Sequence, residues 1–136
     1  MSEENVEIAR SVHTAFGRRD LEALLAACHP EVTYRAAITQ LLEGEAGDFR
    51  GHDGIRRWWR DLDDLYDDLR TEVVEVCDLD GERVLVVFDV HGRGKGSGVT
   101  RVERLTQVAT VRDGQVIEMR DFFSRREALE AVGLRD

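Results

Sequence analysis

The spacing of hydrophobic residues changes at Thr71, and this change constrains the fold more than any motif does. Before it, Ile55, Trp58, Trp59, Leu62, Leu65, Tyr66 and Leu69 recur three and four residues apart. That spacing predicts a helix with one apolar face. Its other face carries Arg56, Arg57, Arg60, Asp61, Asp63, Asp64, Asp67 and Asp68. After Thr71 the period becomes two, the spacing of strands. Asp80-Gly81 and Asp113-Gly114 read as hairpin turns. They divide the segment into expected strands near 71–79, 82–92, 98–112 and 115–123, the last three forming a meander. A chain that is first helical and then stranded points to an α+β fold.

The N-terminal half supplies the remaining elements. Ser2 is placed to cap a helix bearing Ile8, Val12, Ala15 and Phe16, and Gly17 ends it. Asp20 is placed to cap a second helix with Leu21, Leu24, Leu25 and Cys28 on one face. Pro30 marks its exit, and Val32 to Arg35 reads as a short strand. Residues 40–51, with three glycines, read as a loop. Ser124-Arg125-Arg126-Glu127 has the form of a capping box and opens a last helix. With 136 residues and neither repeats nor a linker, residues 1–136 are expected to form a single domain.

Composition excludes several function classes. The net charge is -9, from 28 acids and 19 bases, and disfavours a nucleic-acid partner. Lys95 is the single lysine, which leaves little for Schiff-base chemistry. No apolar run approaches the ~20 residues of a membrane span, and the acidic N-terminus is unlike a signal peptide. A cytoplasmic location with reduced Cys28 and Cys77 is expected. His13, His29, His52 and His91 show no zinc spacing, so no metal is expected. The alternating glycines 92–98 satisfy neither a dinucleotide-binding fingerprint nor a P-loop and read as a hairpin tip. Asp61, Asp63, Asp67 and Glu72 mimic a calcium loop, but Tyr66 occupies the position of its turn glycine.

The chemistry-bearing candidates lie on otherwise apolar strand faces. One face of the 83–91 strand runs Leu85, Val87, Asp89 and His91. One face of the 115–123 strand runs Ile117, Met119, Asp121 and Phe123. A carboxylate among such neighbours either pairs with a cation or titrates high. Two carboxylates in one apolar cavity are equipment for general acid–base catalysis. The alternative is that Asp121 pairs with Arg120, Arg125 or Arg126, and that Asp89 marks where its strand meets solvent.

The order of segments resembles the nuclear transport factor 2-like superfamily, in particular its SnoaL-like and ketosteroid-isomerase-like group. The resemblance is carried by Asp20-Leu21-Glu22-Ala23-Leu24, His29-Pro30-Glu31-Val32 and Phe49-Arg50-Gly51-His52-Asp53-Gly54-Ile55. It continues in Asp113-Gly114-Gln115-Val116 and Arg120-Asp121-Phe122-Phe123-Ser124-Arg125-Arg126-Glu127. It implies a cone-shaped barrel, with a curved antiparallel sheet wrapped on three N-terminal helices plus a short C-terminal helix. It also implies an apolar pocket that needs no cofactor, and homodimers through the outer sheet face. That face is expected to carry Val102, Arg104, Thr106, Val108 and Thr110.

The catalytic Tyr and two Asp of a ketosteroid isomerase fall at Val12, at Ala36 and near Thr106 or Gln107, so steroid isomerisation is not implied. Similarity to limonene epoxide hydrolase implies Asp121 as base, Asp89 as acid and Tyr34 as a water-positioning group. Val87 and Ala36 stand where that hydrolase has an Arg and an amide. A SnoaL-type cyclase would use Asp121 in a similar way. The resulting expectation is cofactor-free acid–base catalysis on a small apolar or aromatic molecule. Asp121, Asp89, Tyr34 and His91 would be the catalytic set. Trp58, Trp59, Leu85, Val87, Met119 and Phe123 would be the walls. The alternative is a non-catalytic ligand-binding or assembly module.

Overall fold

The structure is a computed structural model that describes residues 2–37 and 47–134. Helices α1 (Ser2–Gly17) and α2 (Leu21–Ala27) precede strand β1 (Cys28–Ala36). Strand β2 (Gly47–Arg50) leads into helix α3 (Gly51–Leu65). Strands β3 (Tyr66–Asp78), β4 (Arg83–Gly94), β5 (Thr100–Arg112) and β6 (Gln115–Phe122) follow, then helix α4 (Arg125–Ala131). The six strands form one curved, unclosed sheet in the order β2-β1-β6-β5-β4-β3. Every neighbouring pair is antiparallel except β1 and β6, which run parallel.

Local chemistry accounts for the element ends. The Asp20 carboxylate accepts the Ala23 N–H at 3.1 Å, and the Ser124 hydroxyl accepts the Glu127 N–H at 3.1 Å, so both expected caps form. Asp113 and Gly114 take φ of 52° and 79°, as a two-residue hairpin turn requires.

Three boundaries differ from the sequence expectation. Helix α3 stops at Leu65, before Leu69. Asp61, Asp63 and Asp64 crowd its last turn without a basic residue, opposing the helix dipole. Tyr66 and Asp67 instead pair with Gly94 and Arg93 of β4. Strand β1 begins at Cys28 and contains Pro30. Its register with β6 shifts between Cys28 and Thr33, and that interruption accommodates the proline. Residues 47–50, expected as loop, pair with β1. The rest of that expected loop, from residue 40 to 46, lies outside the described residues.

The sheet is covered on both faces. Its inner face packs Val84, Val86, Phe88 and Val90 of β4 with Leu105 and Ala109 of β5, beneath α1, α2 and α3. Its outer face packs Leu85, Val87 and Val108 under Ala128 and Leu129 of α4. No helix among the described residues is long and apolar enough to cross a membrane.

Candidate functional site

Asp121 sits on the inner face near the end of β6, 8% exposed. A bulge puts it there. Thr110 pairs with Glu118 and Val111 with Val116, which leaves Ile117 without a partner and brings Val116, Met119 and Asp121 all inward. Ile117 therefore does not share the Met119–Asp121 face, contrary to simple alternation.

Among the described residues three donors hold the carboxylate, none of them an arginine. The Tyr34 hydroxyl donates to Oδ2 at 2.6 Å, and the Ala37 backbone N–H donates to the same oxygen at 3.2 Å. Gln107 Nε2 donates to Oδ1 at 2.9 Å. Because that amide turns its nitrogen to Asp121, its oxygen faces His13 Nε2 at 3.0 Å. His13 must then be the tautomer protonated on Nε2. The result is a buried chain from His13 through Gln107 to Asp121 and Tyr34.

Burial sets the electrostatics. It raises Asp121 from 3.8 to about 6, against the opposing pull of the Tyr34, Gln107 and Ala37 hydrogen bonds. Burial also lowers His13 to about 4, so the imidazole is neutral at physiological pH. The Tyr34 hydroxyl is pushed up by burial and by the adjacent Asp121 charge, so it remains a donor. A carboxylate has about four lone-pair sites, and three are used here. One remains for a ligand or water. A group titrating near 6 can accept a proton at neutral pH and return it.

Beside this chain lies an apolar cavity of about 30 Å³ lined by Val12, Phe16, Leu24, Trp58, Phe88 and Met119, with His13, Tyr34, Thr71 and Gln107 as its polar wall. Trp58 stacks on Phe16 with ring centres 5.3 Å apart and meets Tyr34 edge-on at 5.0 Å.

Of the expected site residues, Asp121, Tyr34, Trp58 and Met119 come together here. Trp59 packs behind the wall, edge-on to Phe16 and under the Arg19 guanidinium, which lies 4.0 Å from its ring centre. Phe123 is 37% exposed beyond the end of β6. Asp89 is a correction. Phe88 and Val90 face inward, so strand alternation puts Asp89 and His91 on the outer face. There Arg104 grips Asp89 in a two-pronged pair at 2.8 and 3.0 Å. That hydrogen-bonded pairing lowers the Asp89 pKa, and the charge of His91 adds to the effect. Leu85 and Val87 also lie outside, under α4, and do not line the cavity. The expectation that two carboxylates share one cavity therefore fails.

Sequence reasoning passed over His13 and Gln107 as site members. Each had a signal. His13 continues a buried Ala9–His13–Phe16 stripe on α1, and Gln107 is a lone amide between Leu105 and Ala109. Among the described residues no three His, Cys, Asp or Glu side chains converge as a metal site. Burial pushes the Cys28 thiol up to about 12, which removes it as a nucleophile.

Comparison with known proteins places this architecture. The sequence matches the SnoaL-like domain family over residues 8–119, and the chain belongs to that family. Its fold is shared with a nuclear transport factor 2-like protein from Burkholderia pseudomallei. That likeness has 24% identity over 98% of this chain and 99% of the other, with a TM-score of 0.78. A candidate polyketide cyclase from Sinorhizobium meliloti is 26% identical over 85% of this chain and 94% of its own, with a TM-score of 0.66. An epoxide hydrolase of the limonene-epoxide-hydrolase-like type from M. tuberculosis is 17% identical over 90% and 84%, with a TM-score of 0.71, a likeness of fold alone. No curated protein matches the sequence.

Proposed function

We propose that this SnoaL-like chain binds a small apolar molecule against Asp121, and that Asp121 exchanges a proton with it without a cofactor. One observation carries the reading. Beside an apolar cavity a carboxylate is buried with neutral donors and no cationic partner among the described residues, and burial raises its pKa to about 6. Tyr34 and Gln107 hold it in place, and His13 orients Gln107. A reaction of isomerase, cyclase or hydrolase type is compatible with a single such group. The likeness to a candidate polyketide cyclase supports this class of chemistry.

A second reading is binding without chemistry, and for either reading the cavity is small. About 30 Å³ is the space of roughly one water, whereas ligand pockets usually span about 300–1,000 Å³. Ligand entry requires the wall to move, and the unbranched Met119 is its most adaptable member.

One experiment separates the readings. Flat apolar molecules are screened for a rise in melting temperature, and those that bind are followed for deuterium uptake from D2O. The catalytic reading expects uptake that Asp121→Asn slows by about 10²–10⁴-fold. Binding with no uptake selects the second reading, and an absence of any binder overturns both.

We further propose homodimer pairing through the outer sheet face. Thr106 and Val108 are already buried within the chain, so the available part is the end that carries the exposed Val102. A dimer mass by light scattering at micromolar protein is expected, and a monomer mass overturns the proposal.

A further inference from the structure

Among the described residues lining the cavity, one fully buried polar atom has no hydrogen-bond partner. Tyr34, Gln107 and His13 are all partnered within the Asp121 chain. Trp58 is 5% exposed and lines the same cavity, yet its indole Nε1–H is buried with no acceptor among the described residues. A buried donor without a partner costs about 1–3 kcal/mol. A phenylalanine would keep the stacking on Phe16 and avoid that penalty. The indole nitrogen is a cost in the empty protein that a ligand can recover.

We propose that Trp58 Nε1 is the donor by which the cavity recognises its ligand, and that the ligand carries a carbonyl-type acceptor oxygen on a flat apolar frame. The inference rests on the proposed binding of an apolar molecule and names its chemical class. An indole N–H donates and never accepts, so the ligand atom facing it must be an acceptor. None of the described residues lining the cavity carries a charge to neutralise an anion, which favours a neutral oxygen.

The test uses two probes of nearly the same shape, acetophenone and α-methylstyrene, in which C=O is replaced by C=CH2. The indole N–H resonance of Trp58 is assigned by comparison with Trp59→Phe. Acetophenone is expected to move that resonance downfield, and α-methylstyrene is not. Acetophenone should also bind about 3- to 10-fold tighter than α-methylstyrene, the range for one net hydrogen bond. That ratio should fall to about one in Trp58→Phe. If both probes bind and neither the resonance nor the ratio distinguishes them, the Trp58 assignment is overturned while the cavity reading stands. If neither probe binds the wild-type protein at millimolar concentration, the cavity reading fails and takes the assignment with it. The resonance is read on the wild-type chain, so the test survives a Trp58→Phe variant that does not fold.

Discussion

Two aspartates on neighbouring parts of one sheet have opposite fates. Asp121 points inward, meets only neutral donors and titrates high, near 6. Asp89 points outward, is gripped by Arg104 and titrates low. Both residues interrupt runs of apolar side chains, so the residue type and its immediate pattern are the same. What differs is the face. On the inner face Asp121 is buried and no cation among the described residues reaches it. On the outer face, beyond the reach of α4, the next strand supplies an arginine directly across the ladder, Asp89 opposite Arg104. A charge on an apolar strand is informative about chemistry only once the face it occupies is known.

The contrast should be largest in packing. Phe88 and Asp89 are adjacent, yet Phe88→Ala is expected to cost about 3–5 kcal/mol in urea denaturation, as a large inner-face truncation does. Asp89→Ala should cost far less, because its partner Arg104 is exposed. Equal losses at the two positions would erase the distinction between the faces.

The pH dependence of stability should separate the groups next. The folded-state pKa of Asp121 is raised from 3.8 to about 6, so its contribution is full below 3.8 and is lost as pH rises through 6. That of His13 is lowered from 6.5 to about 4, so its contribution is full above 6.5 and is lost as pH falls towards 4. Between pH 4 and 6 the two slopes oppose each other, each worth about 3 kcal/mol over its window. Asp121→Asn should therefore make stability climb more steeply with pH, and His13→Gln should make it fall. Denaturation midpoints measured from pH 4 to 7 check both signs. Slopes unchanged from wild type would show that neither group is shifted by burial.

A smaller effect tests the wiring of the inner group. The Tyr34 bond is the strongest opponent of the burial shift, so Tyr34→Phe should raise the Asp121 pKa above its wild-type value, as read by carboxyl NMR. No change would mean that the phenol contributes nothing. The smallest effect belongs to the outer pair. Asp89→Asn should leave ligand binding and the Asp121 titration unaltered, and a shift in either would tie the two faces together.

The sequence carried much of this architecture. The Asp20 and Ser124 caps and the Asp113-Gly114 turn are local signals and all appear in the structure, while the change from helix to strand, expected at Thr71, comes at Tyr66. Asp121 was legible as a carboxylate on an apolar strand. Which face of β4 lines the cavity was not. Leu85 and Val87 are as apolar as Val84 and Val86 because α4 covers the outer face, and alternation alone cannot rank two covered faces. The pairing of Asp89 with Arg104 depends on strand register, which no local pattern specifies. Ile117 was misplaced for the same reason, since a bulge is a property of two strands. Gln107 and His13 required the converse of the reasoning that found Asp121, that a neutral polar residue on a buried stripe also needs a partner.

The central claim is that burial, unrelieved by a cation, poises Asp121 for proton transfer near neutral pH. Its most direct test is a carboxyl ¹³C NMR titration of the aspartate-labelled protein, with Asp121→Asn and Asp89→Asn used for assignment. Asp121 should titrate near 6 and Asp89 below the ordinary value of 3.8. An Asp121 resonance that titrates at or below 3.8 would contradict the account.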